Sequence, residues 1–340
     1  MQRFRRLLVV ADELGAESPA YVRALELARR GGAQVTLIDT LHLDDSGIGA
    51  GADEVGRELA DWSAADRRAE LAELVRPARE GGVPVAVRVL VGTPFLEVVR
   101  EVLRNGHDLL LRTVRPPRGV VERFFTSFDV HLLRKCPCPV WMLKGGERPS
   151  PRRVLAALDL APGDDGRQAL NRRVLELATA LVQLDGGELH VVHAWTLPGE
   201  GALRHRRAVY AGINVNALLR EERERRVSRL GALLDGRAPD EPRPVVHIVK
   251  GFPDREIPAA VERLGVDAVV MGTVARTGIP GFIMGNTAED ILSQLRCSVL
   301  AVKPPGWETP VRPGPVVAGG TALRSPHESD SAPPAPARNA

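Results

Sequence analysis

Lysine is nearly missing from this chain. Of 46 basic residues only four are lysine (Lys135, Lys144, Lys250 and Lys303) and the rest are arginine, set among 43 acidic residues for a formal charge of +3. Aromatic residues are scarce too, at 4%. Nucleic-acid binding needs a one-sided basic face and rings on which bases stack, so this composition argues against it. No apolar run approaches the roughly 18 residues that cross a bilayer. At the N-terminus the apolar stretch is only Leu7 to Ala11, which suits a first strand better than a signal peptide. These features predict a cytoplasmic chain without membrane partners. Three cysteines cannot build a disulfide framework. Cys136-Pro137-Cys138 lacks zinc-knuckle spacing, and we read it as core packing. No G-x-G-x-x-G follows the first strand and no Walker lysine follows a glycine loop. Nor does any local spacing gather a nucleophile, a base and an orienting group, so the chain reads as a non-enzyme.

What is present is a repeat. Leu7-Leu8-Val9-Val10-Ala11-Asp12 corresponds to Val154-Leu155-Ala156-Ala157-Leu158-Asp159, and Leu25-Glu26-Leu27-Ala28 to Leu175-Glu176-Leu177-Ala178. Gly92, Pro94, Asp108, Cys138 and Lys144 correspond to Gly251, Pro253, Asp267, Cys297 and Lys303, all at an offset of 159. Ordered matches at a fixed offset mark tandem copies, with extra residues in copy two near Leu197 to Asn216. Each copy alternates short apolar strands with amphipathic helices: 7–11, 34–39, 84–90, 108–111 and 139–143, then 154–158, 188–194, 244–249, 267–271 and 298–302. That alternation predicts parallel sheets with helices on both faces. We divide the chain into a first domain at 1–144, a Gly/Pro linker at 145–152, a second domain at 153–304 and a disordered tail at 305–340. The tail is rich in Pro, Gly, Ser and Ala and has too little apolar surface to offset its ordering entropy.

The segment from Val269 to Lys303 is the most informative. Its apolar run ends at Gly272, and Gly285-Asn286-Thr287 then opens a helical pattern. Amides at such a helix start have no partner within the helix and favour an anion. The spacing of Gly272, Ala275, Gly285 and Asn286 resembles the nucleotide-binding signature of the universal stress proteins, with Ala275 in place of the second glycine and Asn286 in place of a hydroxyl residue. The wording is nearest that of the tandem, E-type members.

That resemblance implies two five-stranded, Rossmann-like domains of the adenine nucleotide alpha hydrolase kind, in strand order 3-2-1-4-5. We expect their last strands to meet about an intramolecular pseudo-twofold axis. It also implies ATP or another adenine nucleotide as ligand, with Mg at most accompanying it and no metal site of the protein's own. Asp159 and the residues near Ala194 would hold adenine and ribose. Gly272, Val274, Ala275, Arg276, Gly285, Asn286, Thr287 and Ala288 would line the ribose-phosphate path.

Simpler readings stand beside these. Asn286 with Glu289 three residues on is also a capping box, and Asp159 also suits a polar turn. His190 and His193 lie three apart on a strand and face opposite sides, so they are structural rather than a metal pair. Copy one has Thr113 opposite Gly272, no glycine before Thr126, and Phe124, Phe125 and Phe128 crowding the same place. We expect its site to be plugged or turned into an interface. The functional expectation is a nucleotide-responsive module of bacterial stress resistance with an unidentified protein partner. A nucleotide-independent scaffold, supported by the apolar loop Ile279 to Met284 and the phenylalanines, and a weak ATPase are the alternatives.

Overall fold

The computed structural model describes residues 4–42, 52–115, 125–145, 150–163, 165–205, 214–274 and 284–314, excepting the side chains at 52–61 and 205. In the first half the order is β1 (Arg6–Val10), α1 (Pro19–Gly31), β2 (Gln34–Leu41), α2 (Ala52–Glu80), β3 (Val85–Val91), α3 (Pro94–Asn105), β4 (Leu109–Val114), α4 (Ser127–Lys135) and β5 (Val140–Lys144). The second half runs β6 (Arg153–Ala157), α5 (Asp165–Asp185), β7 (Glu188–Trp195), α6 (Glu200–His205), α7 (Val215–Leu234), β8 (Val245–Lys250), α8 (Pro253–Leu264), β9 (Ala268–Gly272), α9 (Asn286–Gln294) and β10 (Ser298–Val302).

The strands form one ten-stranded sheet, ordered β3-β2-β1-β4-β5-β10-β9-β6-β7-β8. Within each half all pairs are parallel and follow the expected order. At the seam β5 and β10 pair antiparallel, Met142 with Val299, Trp141 with Leu300 and Val140 with Ala301. The two apolar edges expected to meet do so, which leaves neither open to another chain.

Alternation along the strands divides the core into two layers that run across the seam. One contains Leu7, Val9, Trp141, Ala156, Leu300 and Val302 beneath α1, α2, α5 and α7. The other contains Leu8, Val10, Met142, Leu155, Val299 and Ala301 beneath α3, α4, α8 and α9. The repeat is reproduced in detail. Asp108 accepts the backbone amides of Arg5 (2.7 Å) and Arg6 (3.1 Å), and Asp267 accepts those of Arg152 and Arg153 (both 2.8 Å).

Polar contacts reinforce the seam. The fully buried Arg23 on α1 donates to both Asp185 oxygens on α5, at 2.9 and 2.5 Å. Its guanidinium also lies 5.1 Å from the Trp141 ring centroid. Arg134 on α4 donates to Glu289 on α9 at 2.6 and 2.9 Å. Lys303, at the end of β10, donates to the Leu133 carbonyl at the end of α4 (2.6 Å) and to Thr273 Oγ1 (2.7 Å).

Residues 305–314 depart from the expected disorder. Trp307 lies 5.0 Å from Lys303 Nζ, Thr309 Oγ1 donates to the Lys135 carbonyl (2.7 Å), and Val311 is buried. A cation–π contact, a cap on a helix-end carbonyl and one buried apolar side chain hold this strap against α4. Residues 315–340 lie outside the described part.

Candidate nucleotide site at the carboxyl ends of the second half

In the second half β6 lies between β9 and β7. The chain leaves β6 toward β7 and β8, then returns to β9 on the other side. That is a topological switch point, and ligands of open parallel sheets bind at the carboxyl ends of the strands there. Asp159 follows β6, Ala194 is near the end of β7, and Gly272 ends β9. Gly285 is the N-cap of α9, and Asn286, Thr287 and Ala288 are its first three residues. Val274 bridges antiparallel to Met284 and so closes the base of the intervening loop. Ala275 and Arg276 lie outside the described residues, as does the apolar loop through Ile283. The other eight expected site residues lie at the ends of four elements, β6, β7, β9 and α9.

The turn after β6 is tied down from several sides. The Asp159 amide donates to Asn171 Oδ1 (3.0 Å), and Asn171 Nδ2 donates back to the Asp159 carbonyl (2.8 Å). Asp159 Oδ1 accepts the Ala161 amide (3.1 Å) in an Asx turn. Arg167 Nε lies 3.6 Å from Asp159 Oδ2. Arg229 on α7 donates to the Leu160 carbonyl (2.9 Å), and buried His193 places Nδ1 2.9 Å from the Leu158 carbonyl. Asn171, Arg167 and Arg229 carry no sequence signal, because long-range contacts between polar side chains and backbone leave no periodicity.

Two glycines act differently from each other. A Cβ on Gly272 would stand 2.6 Å from Leu170 Cδ2, so glycine there lets α5 pack on the end of β9. Gly285 has φ −66° and ψ 138°, extended backbone open to any residue. What glycine contributes at Gly285 is a bare helix start.

The expected capping box at this start does not form. Gly285, not Asn286, is the N-cap, and α9 has no side-chain cap. Asn286 and Thr287 are exposed, and Glu289 faces Arg134 of the first half instead of reaching back. That ion pair also offsets the Glu289 charge that would oppose an anion.

Copy one is the reverse. Thr126 and Asp129, at the positions of Gly285 and Ala288, form a complete box at the start of α4. Asp129 Oδ2 accepts the Thr126 amide (2.8 Å) and hydroxyl (2.6 Å), and Arg112 from β4 closes on its other oxygen. The buried Asp129 carboxylate therefore stands where an anion would sit at this helix start.

Among the described residues nothing plugs the first half, however. A cleft of about 1310 Å³ opens there, with Asp12, Asp39, Arg67, Arg112, Thr126 and Glu289 among its walls. Phe125 is buried in the wall, and Phe128 lies against the Arg112 guanidinium at 4.4 Å rather than filling the space. Phe124 is outside the described residues. Beside the cleft His131 packs on Phe95, and burial with the charges of Lys135 and Arg134 holds its pKa below the usual imidazole range.

Among the described residues no group of three His, Cys, Asp or Glu side chains could hold a metal ion, and no helix is long and apolar enough to cross a membrane. His190 has a neighbour that spacing along β7 could not reveal. Its Nδ1 faces His247 Nε2 on β8 at 3.2 Å.

Two half-length α/β units, a switch-point site and a glycine-opened helix define the class. The pattern of the universal stress protein family matches residues 3–144 and again 151–303. The chain belongs to the universal stress protein family. It is similar to universal stress protein E of Escherichia coli (strain K12), with 30% identity over 325 residues covering 92% of this chain and 98% of that protein. Universal stress protein E of Photorhabdus laumondii is 27% identical over 317 residues, with 92% and 99% covered. Among solved structures, a functionally unknown protein from Pseudomonas aeruginosa PAO1 superposes with TM-score 0.62 and 25% identity, covering 88% of this chain and 93% of that one. A universal stress protein from Archaeoglobus fulgidus, 20% identical, shares the fold at TM-score 0.57 over 88% and 98%.

Proposed function

We propose that the chain is a nucleotide-responsive, non-catalytic module of bacterial stress resistance that takes one adenine nucleotide, in its second half. The observation that carries this reading is the contrast between the two helix starts. At α9 the first amides have no side-chain cap, whereas at α4 the Thr126–Asp129 box and Arg112 fill the same place. Asp159 and the strand ends near Ala194 take the base and ribose. Val274, Ala275, Arg276 and the α9 amides flank the phosphates, and Mg accompanies the nucleotide if it binds at all. Among the described residues we assign no general base to activate water, and on this reading binding is not followed by rapid turnover. A ligand that favours one arrangement of the 274–284 loop would shift a partner surface by its differential affinity. Calorimetric titration of ATP into the wild type and Gly285→Val tests this. We expect one site per chain in the wild type and none in the variant. Two sites, or equal binding by both proteins, would refute it.

A scaffold reading has its own support in the cleft of the first half, which joins walls from both halves. It becomes the better reading if the wild type binds no nucleotide, and a steady-state phosphate-release assay separates both readings from a weak ATPase.

A further inference from the structure

Cys136 and Cys138 take no part in the site, yet they are arranged for chemistry. Their sulfurs stand 3.5 Å apart, already in contact across one intervening proline. Cys136 caps the end of α4 with extended backbone. The Lys303 ammonium donates to the Leu133 carbonyl of the same helix end, and Cys136 is the titratable group whose charge acts on it. Burial lowers the Lys303 pKa to about 8, so at neutral pH it is still mostly a cation. The Cys138 thiol is pushed well above its usual range, first by its hydrogen bond with Cys136 and then by burial. It therefore keeps its proton, which makes Cys138 the resolving sulfur and leaves Cys136, 3.5 Å away, as the one that attacks.

Both thiols are buried, Cys136 fully, and burial ordinarily makes cysteine inert. The 305–314 strap docks beside them. Val311 belongs to the same apolar cluster as Cys136 and Cys138, and Thr309 is bonded to Lys135, next to Cys136. The strap that carries these residues has no strand or helix of its own. Segments with few buried contacts and no ladder open at low free-energy cost.

We propose that Cys136 and Cys138 form a reversible dithiol switch, oxidised by small hydroperoxides that reach it when the 305–314 strap lifts. The Cys136 thiolate attacks the peroxide oxygen, giving the sulfenic acid and an alcohol or water. The Cys138 thiol then attacks that sulfur, expelling water and closing the disulfide. Two thiols and one hydroperoxide become one disulfide, one alcohol (water when the oxidant is hydrogen peroxide) and one water. A dithiol reductant reverses the step.

The test is intact-mass spectrometry of the full chain treated with hydrogen peroxide under native conditions. We expect a loss of two mass units, reversed by dithiothreitol and mapped to the peptide holding both cysteines. Cys297→Ser should retain it. Cys136→Ser and Cys138→Ser should each abolish it, and Cys136 alone should trap as the sulfenate. Val311→Ala, which loosens the cover without touching either sulfur, should speed oxidation at least threefold. The proposal is overturned if the folded chain shows no loss while the urea-unfolded chain oxidises fully. A bridge that persists in Cys138→Ser through Cys297, or a rate unchanged by Val311→Ala, overturns it equally.

Discussion

The two halves share a strand order, a core and even the carboxylates that bond the amides at the start of their first strands, but they finish their last helices in opposite ways. The first half closes the start of α4 with Thr126, Asp129 and Arg112; the second leaves the start of α9 bare. Fold and site are thus separable on one chain. The apolar strands that specify the sheet recur in both copies, while two positions at one helix start, Thr126 or Gly285 and Asp129 or Ala288, decide whether that start carries a side-chain cap.

The strongest way to break this comparison is Asp129→Ala. It leaves Arg112 and the Thr126 amide without their buried partner, and breaking such a pair costs about 3–5 kcal/mol. Chemical denaturation should show the loss, with inorganic phosphate recovering part of it if the carboxylate stands in for an anion. No recovery at high phosphate would remove the equivalence between the helix starts.

A second contrast lies in the lysines that end β5 and β10. Lys303 is buried with a pKa lowered to about 8, whereas Lys144 is half-buried. Because the folded value lies below the ordinary 10.5, the unfolded chain binds the extra proton between those limits. Stability should therefore rise with pH across about 8 to 10.5, by up to about 3 kcal/mol relative to Lys303→Met. The variant cancels other titrations, such as that of Tyr21, whose pKa burial raises. Parallel stability curves for the two proteins over that window would show that Lys303 is not sheltered in solution.

Smaller effects sharpen the contrast. Thr126→Ala removes a working cap and should cost about 1 kcal/mol by thermal unfolding. Asn286→Ser changes a residue that caps nothing and should shift stability by less than about 0.5 kcal/mol. With Ala275→Gly added, it should tighten ATP binding or leave it unchanged. If Asn286→Ala costs as much as Thr126→Ala, Asn286 is a cap after all.

Much of this was legible in the sequence. Runs such as Leu7 to Val10 and Val269 to Met271 are apolar because both sheet faces are covered, and such runs announce buried parallel strands. Gly272 and Gly285 marked the candidate site because glycine is the visible trace of an absent side chain. The caps were harder. Gly285 and Asn286 are both acceptable N-caps, and only the path of the chain decides that Gly285 takes the place. Thr126 with Asp129 was overlooked as a box because its acid is one methylene shorter than the usual glutamate. The docked strap escaped notice because composition averages over 36 residues, whereas Trp307, Thr309 and Val311 act singly on partners far away in sequence. Lys303 was visible as a repeated lysine, but nothing in its neighbours foretold its burial.

The antiparallel seam has a consequence for symmetry. In a dimer of identical chains every contact across the axis occurs twice, so a change at one residue is felt at two places. Joined in one chain, the halves escape that rule. The Arg134–Glu289 pair has no mirror image, because the corresponding positions hold Ser293 and Val130. Each half can therefore vary alone, which is how one copy can cap its last helix with a side chain while the other leaves that helix start bare.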